Sequence, residues 1–379
     1  MKKKKIAIIS LPLMYNYGGF LQSYALMEFL RIKGFLPILL IREHNRNSSI
    51  FKLIIDICKK VLERIGAGGF VYLIEKKTNS GLFFKTKNFR QFKRLYIRDF
   101  SPKFTNSKAL KNYCQKQNFD YYITGSDQIW RKAYMPSLED AFLNFAPEDA
   151  IKLAYAPSFG TNIWDFDTME TDFIEKALNN FRAVSVREKD GINMLINHIR
   201  LSKSPRHVLD PTFLLPIEHY IDLSDKLCVR EGTLLYMLSW DDKKQKFIRY
   251  FSETYHQQLY TVINPETNCS NSIKDGQGYP VEQWLAGFRD ASYVLTDSFH
   301  AIVFSIIFQK PFWVFENPQR GNSRLNNILD TFELKDRLIK ADTNWASIKW
   351  EADIAWEKIN AKKQELLNES VNYLISALQ

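Results

Sequence analysis

This sequence predicts an α/β protein of two doubly wound, Rossmann-like domains facing a cleft, with a C-terminal helix. Three observations carry that expectation. Short apolar runs alternate with helical patterns along most of the chain, the arrangement of a parallel sheet with helical crossovers. The first 41 residues already spell one β-loop-α-β unit. At 379 residues the chain exceeds one ordinary core and suits two of roughly 150–200 residues.

Ile6–Ser10 reads as a strand, Gly19–Lys33 as an amphipathic helix stopped by Gly34, and Leu36–Ile41 as the next strand. Residues 45–114 read as a helical excursion. Its Gly66-Ala67-Gly68-Gly69 cluster has neither the preceding strand nor the spacing of a dinucleotide fingerprint. Strand patterns resume at Tyr121–Thr124, Leu153–Ala156 and Ala183–Val186, and again at Thr233–Leu238, Leu259–Ile263, Tyr293–Thr296 and Phe312–Phe315. Between the two sets, Lys203–Pro216 holds three of the 13 prolines and reads as an interdomain joint. The predicted division is therefore 1–202, 203–350 and a terminal helix in 351–379. Ligands of such sheets bind at the carboxyl ends of the strands.

Composition narrows the class. With 45% hydrophobic and 25% charged residues the chain is globular, and its apolar runs are too short to span a bilayer. Lys2–Lys5 followed by Ile6–Met14 imitates a signal peptide, but Ser10 and Pro12 interrupt it and no small-x-small cleavage site follows, so a buried first strand is expected. Four cysteines without CxxC spacing suit a reducing cytoplasm and offer neither a metal site nor a disulfide scaffold. The net charge is +10, and residues 51–114 alone carry 15 Lys/Arg against 4 Asp/Glu. That stretch is either a solvated helical face or a surface for anionic lipid or a diphosphate-linked substrate. No nucleic-acid-binding motif accompanies it.

The strongest site signal is Tyr293-Val294-Leu295-Thr296-Asp297-Ser298-Phe299-His300, a buried strand, a polar turn and a buried helix. Asp297 or Ser298 can cap that helix, and its N-terminus offers N–H groups and partial positive charge to an anion. His300 in the first turn is either a proton-trading group or a satisfied buried histidine. Arg187, at the end of Ala183–Val186, can fork onto a carboxylate or phosphate, or pair with a neighbouring acid. Arg320 and Arg324 flank Gly321-Asn322-Ser323 as a basic loop that either holds an anion or is solvated. In the first half, Asn16-Tyr17-Gly18-Gly19-Phe20-Leu21-Gln22 opens a helix toward a polar ligand or permits tight packing. In Thr124-Gly125-Ser126-Asp127-Gln128-Ile129-Trp130, Asp127 reads as a base, a sugar-hydroxyl ligand or a cap. Trp130 reads as a sugar-stacking platform or a core residue. A Walker loop, a Gly-x-Ser-x-Gly elbow and an HExxH pair are all absent from the sequence.

Taken with Ala156-Pro157-Ser158-Phe159-Gly160, Val184-Ser185-Val186-Arg187-Glu188, Leu209-Asp210-Pro211-Thr212-Phe213-Leu214-Leu215 and Asn322-Ser323-Arg324, these segments resemble the polysaccharide pyruvyltransferases, in family order across about residues 6–330. The basic excursion lies outside the resembling segments. The resemblance implies a fold like the B-type glycosyltransferases, a phosphoenolpyruvate co-substrate and no cofactor or metal. It also implies a sugar or lipid-linked oligosaccharide acceptor that receives pyruvate as a ketal, in exopolysaccharide or capsule biosynthesis. It makes His300 the acid–base group with Asp127 as a second catalytic residue, and Arg187, Arg324, Arg320 and Ser298 the donor ligands. Asn16, Gly18, Gln22 and Trp130 become the acceptor side. The implied location is cytoplasmic, with peripheral contact at an anionic membrane. Two competing readings are a glycosyltransferase of the same fold with a nucleotide-sugar donor, and a non-catalytic surface-binding protein.

Overall fold

The computed structural model describes residues 3–44, 86–226, 230–263, 278–317, 321–350 and 352–379. Its strands form two sheets, and every pairing among them is parallel. The first sheet runs β1 (Lys5–Ile9), β2 (Leu36–Arg42), β3 (Phe100–Phe104), β4 (Tyr121–Thr124), β5 (Ile151–Ala154), β6 (Ala183–Val186) and β7 (Arg206–His207), in the spatial order β3-β2-β1-β4-β5-β6-β7. The second holds β8 (Thr233–Tyr236), β9 (Leu259–Tyr260), β10 (Tyr293–Thr296), β11 (Phe312–Phe315) and β12 (Leu338–Ile339), in the order β12-β11-β10-β8-β9. Both orders are doubly wound. The winding reverses between β1 and β4 in one sheet and between β8 and β10 in the other, which opens a crevice at the carboxyl edge of each.

The central strands are apolar on both faces because helices cover both sides; Ile6, Ala7, Ile8 and Ile9 are all buried, as are all four residues of β11. The helix Phe299–Ile307 is rich in β-branched and aromatic residues, which have modest helix propensity, yet every one of its residues is buried. Tertiary packing rather than intrinsic preference holds it. The helix Tyr17–Ile32 is likewise buried nearly all round, since the first sheet lies on one side and the second domain on the other. Tyr17 crosses the junction: its hydroxyl donates to the Tyr279 carbonyl at 2.9 Å and its ring stacks on Trp284 with centroids 5.5 Å apart. Asn88 Nδ2 adds a bond to the Gly278 carbonyl at 2.7 Å.

The final helix, Trp356–Ala377, returns to the first domain. Ser370 Oγ accepts from the Leu209 N–H at 2.9 Å, the Tyr373 hydroxyl donates to the Ala154 carbonyl at 2.8 Å, and the Tyr121 hydroxyl donates to the Leu378 carbonyl at 2.5 Å. Among the described residues, no helix is long and apolar enough to cross a membrane.

Three strands escape the sequence reading. β3 lies inside the stretch expected to be helical, where Pro102 and a half-exposed pattern disguise it; a sheet edge tolerates both. β7 and β12 are two residues each, too short to show a period. Because β7 pairs with β6, the first sheet extends past residue 202 to His207. The Gly66–Gly69 cluster lies outside the described residues.

Candidate active site

Four strand ends converge on one cleft. Its lining comes from Asn16 after β1, Asp127 and Gln128 after β4, Leu238 after β8, and Asp297 to His300 after β10, with Asn317, Gly321, Arg324 and Leu325 closing one side. These are the switch points of both sheets, so each domain contributes its crevice to a single site.

On the first domain's wall, Asp127 is buried and holds φ at 72°, a region that few non-glycine residues occupy. Its carbonyl accepts from the Ile129 and Ser158 N–H groups at 2.8 and 2.9 Å, so the surrounding loops fix the conformation. The carboxylate is thereby aimed at Asn16, whose Nδ2 lies 3.5 Å from Oδ2. A strained residue held at a strand end is a common mark of a functional position.

On the second domain's wall, Asp297 does not cap the helix that follows it. Its Oδ1 accepts from the Leu238 N–H at 2.6 Å. Its Oδ2 accepts from Ser239 N and Oγ (3.1 and 2.7 Å), Lys244 Nζ (2.7 Å) and Asn317 Nδ2 (2.9 Å). The residue is a buried tie that pins the loop after β8. Ser298 is the N-cap but makes no side-chain capping bond. The first-turn donors of the helix therefore point to the cleft without a side-chain cap, which suits an anion.

His300 reaches across the domain junction. A Cβ added at Gly18 would stand 2.0 Å from its Nδ1, so the ring lies directly on the backbone of the first helix. Its Nε2 faces Asp210 Oδ2 at 3.7 Å and has no hydrogen-bond partner. Gly18 thus serves the site by lacking a side chain.

Asp210 is the residue the sequence reading leaves unassigned. It accepts from Thr212 N and Oγ1 on Oδ1 (3.0 and 2.8 Å), and from Ser126 Oγ and Arg187 Nη1 on Oδ2 (both 3.0 Å). Burial opposes its charge, but the His300 ring, the Arg187 guanidinium and the Thr212 N–H outweigh it and hold the carboxyl well below the usual carboxylate range. The signal available in the sequence was an acid set inside the otherwise apolar run Val208–Leu215.

Arg187 occupies an adjoining chamber rather than the cleft itself. Its Nε and Nη1 bind Glu188 and Asp210 at 2.8 and 3.0 Å, and its guanidinium lies 4.1 Å from the Phe299 ring centroid. Burial opposes its charge, and the Glu188, Asp210 and Asp127 carboxylates more than restore it. Nη2 remains a buried donor without a partner. Arg324 does line the cleft; burial, together with the nearby Arg187 charge, pushes it down to about 10. Arg320 lies outside the described residues.

Two acceptor-side assignments are corrected. Trp130 is fully buried, stacked on Phe142 with centroids 5.0 Å apart, and its Nε1 donates to the Ala141 carbonyl. It has no free face for a sugar. Gln22 is 1% exposed, and its amide nitrogen is spent on Ser10 Oγ, the Gly19 carbonyl and Ser23 Oγ. It buttresses the loop behind the cleft. Among the described residues, no group of three His, Cys, Asp or Glu side chains is placed to hold a metal ion.

Among solved structures, the chain is similar to UDP-N-acetylglucosamine 2-epimerase from Rickettsia bellii (10% identity, 99% of this chain and 97% of that chain, TM-score 0.54). It is also similar to the S. aureus MnaA–UDP co-structure (12% identity, 100% and 97%, TM-score 0.52). At such identity the likeness shows the fold alone, that of the B-type glycosyltransferases. No curated relative matches. The sequence profile of the polysaccharide pyruvyl transferases matches residues 16–319, a span that includes Asn16, Asp127, Asp210 and His300. The chain therefore belongs to the polysaccharide pyruvyl transferase family.

Proposed function

We propose that the protein transfers pyruvate from phosphoenolpyruvate to a sugar of a surface polysaccharide or its precursor, as a ketal. One observation carries the reading: His300 lies in the first turn of a helix whose N-terminal donors open onto a cleft that also presents Arg324 and Asp127. Phosphoenolpyruvate carries a phosphate and a carboxylate, which call for those donors and that cation. Protonation of its methylene carbon by His300 turns the carbon bearing the phosphate oxygen oxocarbenium-like. A sugar hydroxyl, relieved of its proton by Asp127, adds to that carbon. Phosphate then departs with the C–O bond pair, and a second hydroxyl closes the ketal and returns a proton to the site. Asp210 faces the imidazole Nε2 at 3.7 Å, and Arg187 holds Asp210 in place.

The test is incubation with phosphoenolpyruvate and a panel of galactosides and lipid-linked sugars, with mass spectrometry seeking a pyruvyl increment and a parallel phosphate assay. A second reading, glycosyl transfer from a nucleotide sugar, is favoured by a cavity beside β11 and β12 lined by Phe247, Phe315 and Trp345, which is suited to a flat base. The UDP named with the S. aureus neighbour points the same way. Thermal stabilisation by a nucleotide sugar and not by phosphoenolpyruvate would decide for it.

The basic stretch extends the proposal to location. Lys87, Arg94, Arg98, Lys103, Lys108 and Lys111 are exposed on the first domain and suit peripheral contact with an anionic membrane bearing a lipid-linked acceptor. Sedimentation with anionic but not neutral vesicles, weakening as salt rises, would test it.

A further inference from the structure

With Trp130 in the core, the cleft needs another surface for the apolar face of a sugar. Trp240 is 52% exposed and lies two residues beyond Leu238, which lines the cleft. The loop that carries it is rigid on both sides. Asp297 holds the Leu238 and Ser239 N–H groups, and the Asp241 carboxylate caps the helix Asp242–Thr254 by accepting from the Lys244 N–H at 2.8 Å. Among the described residues, no ring or cation covers the Trp240 indole. On the opposite domain, Tyr15 is 49% exposed and adjoins Asn16, another lining residue, and its ring is equally uncovered. By contrast, the exposed Tyr134 has its face taken by Arg131, with the guanidinium 4.4 Å from the ring centroid.

A large aromatic left half in water on a loop fixed at both ends is organised before any ligand arrives. Aromatic rings with polar neighbours suit ligands that are apolar on one face and hydroxylated at the rim. The cleft whose lining residues Leu238 and Asn16 neighbour these two aromatics in the chain is polar, with Asn16, Asp127, Gln128, Ser298 and Asn317 among its walls. We propose that Trp240 and Tyr15, one from each domain, form the platform on which the acceptor saccharide stacks, with its hydroxyls turned toward Asp127 and Asn16. The inference rests on the pyruvyl-transfer reading for the acceptor's role, though not for the binding itself.

The experiment measures binding of methyl galactoside, glucoside, mannoside and N-acetylglucosaminide by saturation-transfer NMR to the full chain and its Trp240→Ala, Trp240→Phe and Tyr15→Ala variants. Phosphoenolpyruvate binding is followed in parallel by phosphorus NMR. At least one glycoside binds the wild type, and Trp240→Ala weakens it about tenfold, equivalent to about 1.4 kcal/mol. Tyr15→Ala weakens it less, Trp240→Phe retains it, and phosphoenolpyruvate binding is unchanged in all three. Failure of every glycoside to bind the wild type, or equal binding by Trp240→Ala, overturns the platform. So does a change of oligomeric state in Trp240→Ala on size exclusion, which would make the indole a contact between copies. Glycoside binding that depends on Trp240 in a protein that ignores phosphoenolpyruvate rejects the donor reading and leaves the platform standing.

Discussion

Replacing Gly18 with alanine sets two effects against each other. Gly18 is the second residue of a buried helix, and alanine in a helix is favoured over glycine by about 1 kcal/mol. On propensity alone the change would stabilise. The new methyl, however, would stand 2.0, 2.2 and 2.5 Å from Nδ1, Cγ and Cε1 of His300, where ordinary contact begins at 3.4 Å. Ring and backbone must separate by about 1.4 Å, the difference between 3.4 and 2.0 Å. Overpacking of this kind costs about 1–3 kcal/mol, so the clash outweighs the helical gain. A midpoint lowered by about 2–4 °C per kcal/mol is expected. On the proposed function, with His300 as the proton donor, the catalytic consequence is larger, because misplacement of a reacting group by about 1 Å can cost about 100-fold in rate. Phosphate release from phosphoenolpyruvate in the presence of acceptor should therefore fall by about two orders of magnitude. In a Gly18→Ala/His300→Gly background the stability loss should vanish, because the ring is gone, while activity stays absent. Wild-type turnover in Gly18→Ala with an unchanged melting point would show that His300 does not occupy this position.

The remaining predictions concern the network behind the imidazole. Arg187→Ala strands the Asp210 and Glu188 carboxylates in the interior and should destabilise the protein by about 3–5 kcal/mol in urea unfolding, on top of abolishing transfer. For Asp210 the sign follows from its depressed folded-state pKa. Its stabilisation is complete above the unfolded value of about 3.9 and is lost as pH falls through the lower folded value. Asp210→Asn should then be less stable than wild type at neutral pH and lose less on acidification, and parallel acid slopes in urea titrations of the two would refute the pairing. Trp130→Ala should cost about 3–5 kcal/mol as a core cavity, and Trp130→Phe should keep the wild-type KM for any acceptor. A raised acceptor KM in Trp130→Phe would return that residue to the binding surface.

Much of this protein is determined by local pattern. Buried parallel strands are apolar on both faces, so Tyr121–Thr124, Ala183–Val186, Tyr293–Thr296 and Phe312–Phe315 stand out as short runs between helices, and their bounds in the structure coincide with the pattern. Strand ends that turn polar marked Asp127 and His300 as candidates before any geometry. The edge strands β3, β7 and β12 did not stand out, because two-residue or half-exposed segments carry no period.

What only the tertiary structure decided is which side chains meet. Asp297 and Ser298 look alike as caps in sequence, yet one is buried under five donors and the other is left with no capping bond. Trp130 reads in sequence as a sugar platform or a core residue, and only the structure shows it packed on Phe142, while Trp240, to which the sequence assigned nothing, stands half in water. Asp210, 90 residues before His300, comes within 3.7 Å of it only in the folded chain, where Ser126 and Arg187 also hold its carboxylate. Hydrophobic periodicity is a property of neighbours in the chain and can be read there. The approach of a carboxylate to an imidazole depends on distances between segments far apart in the chain, which residue order alone does not encode.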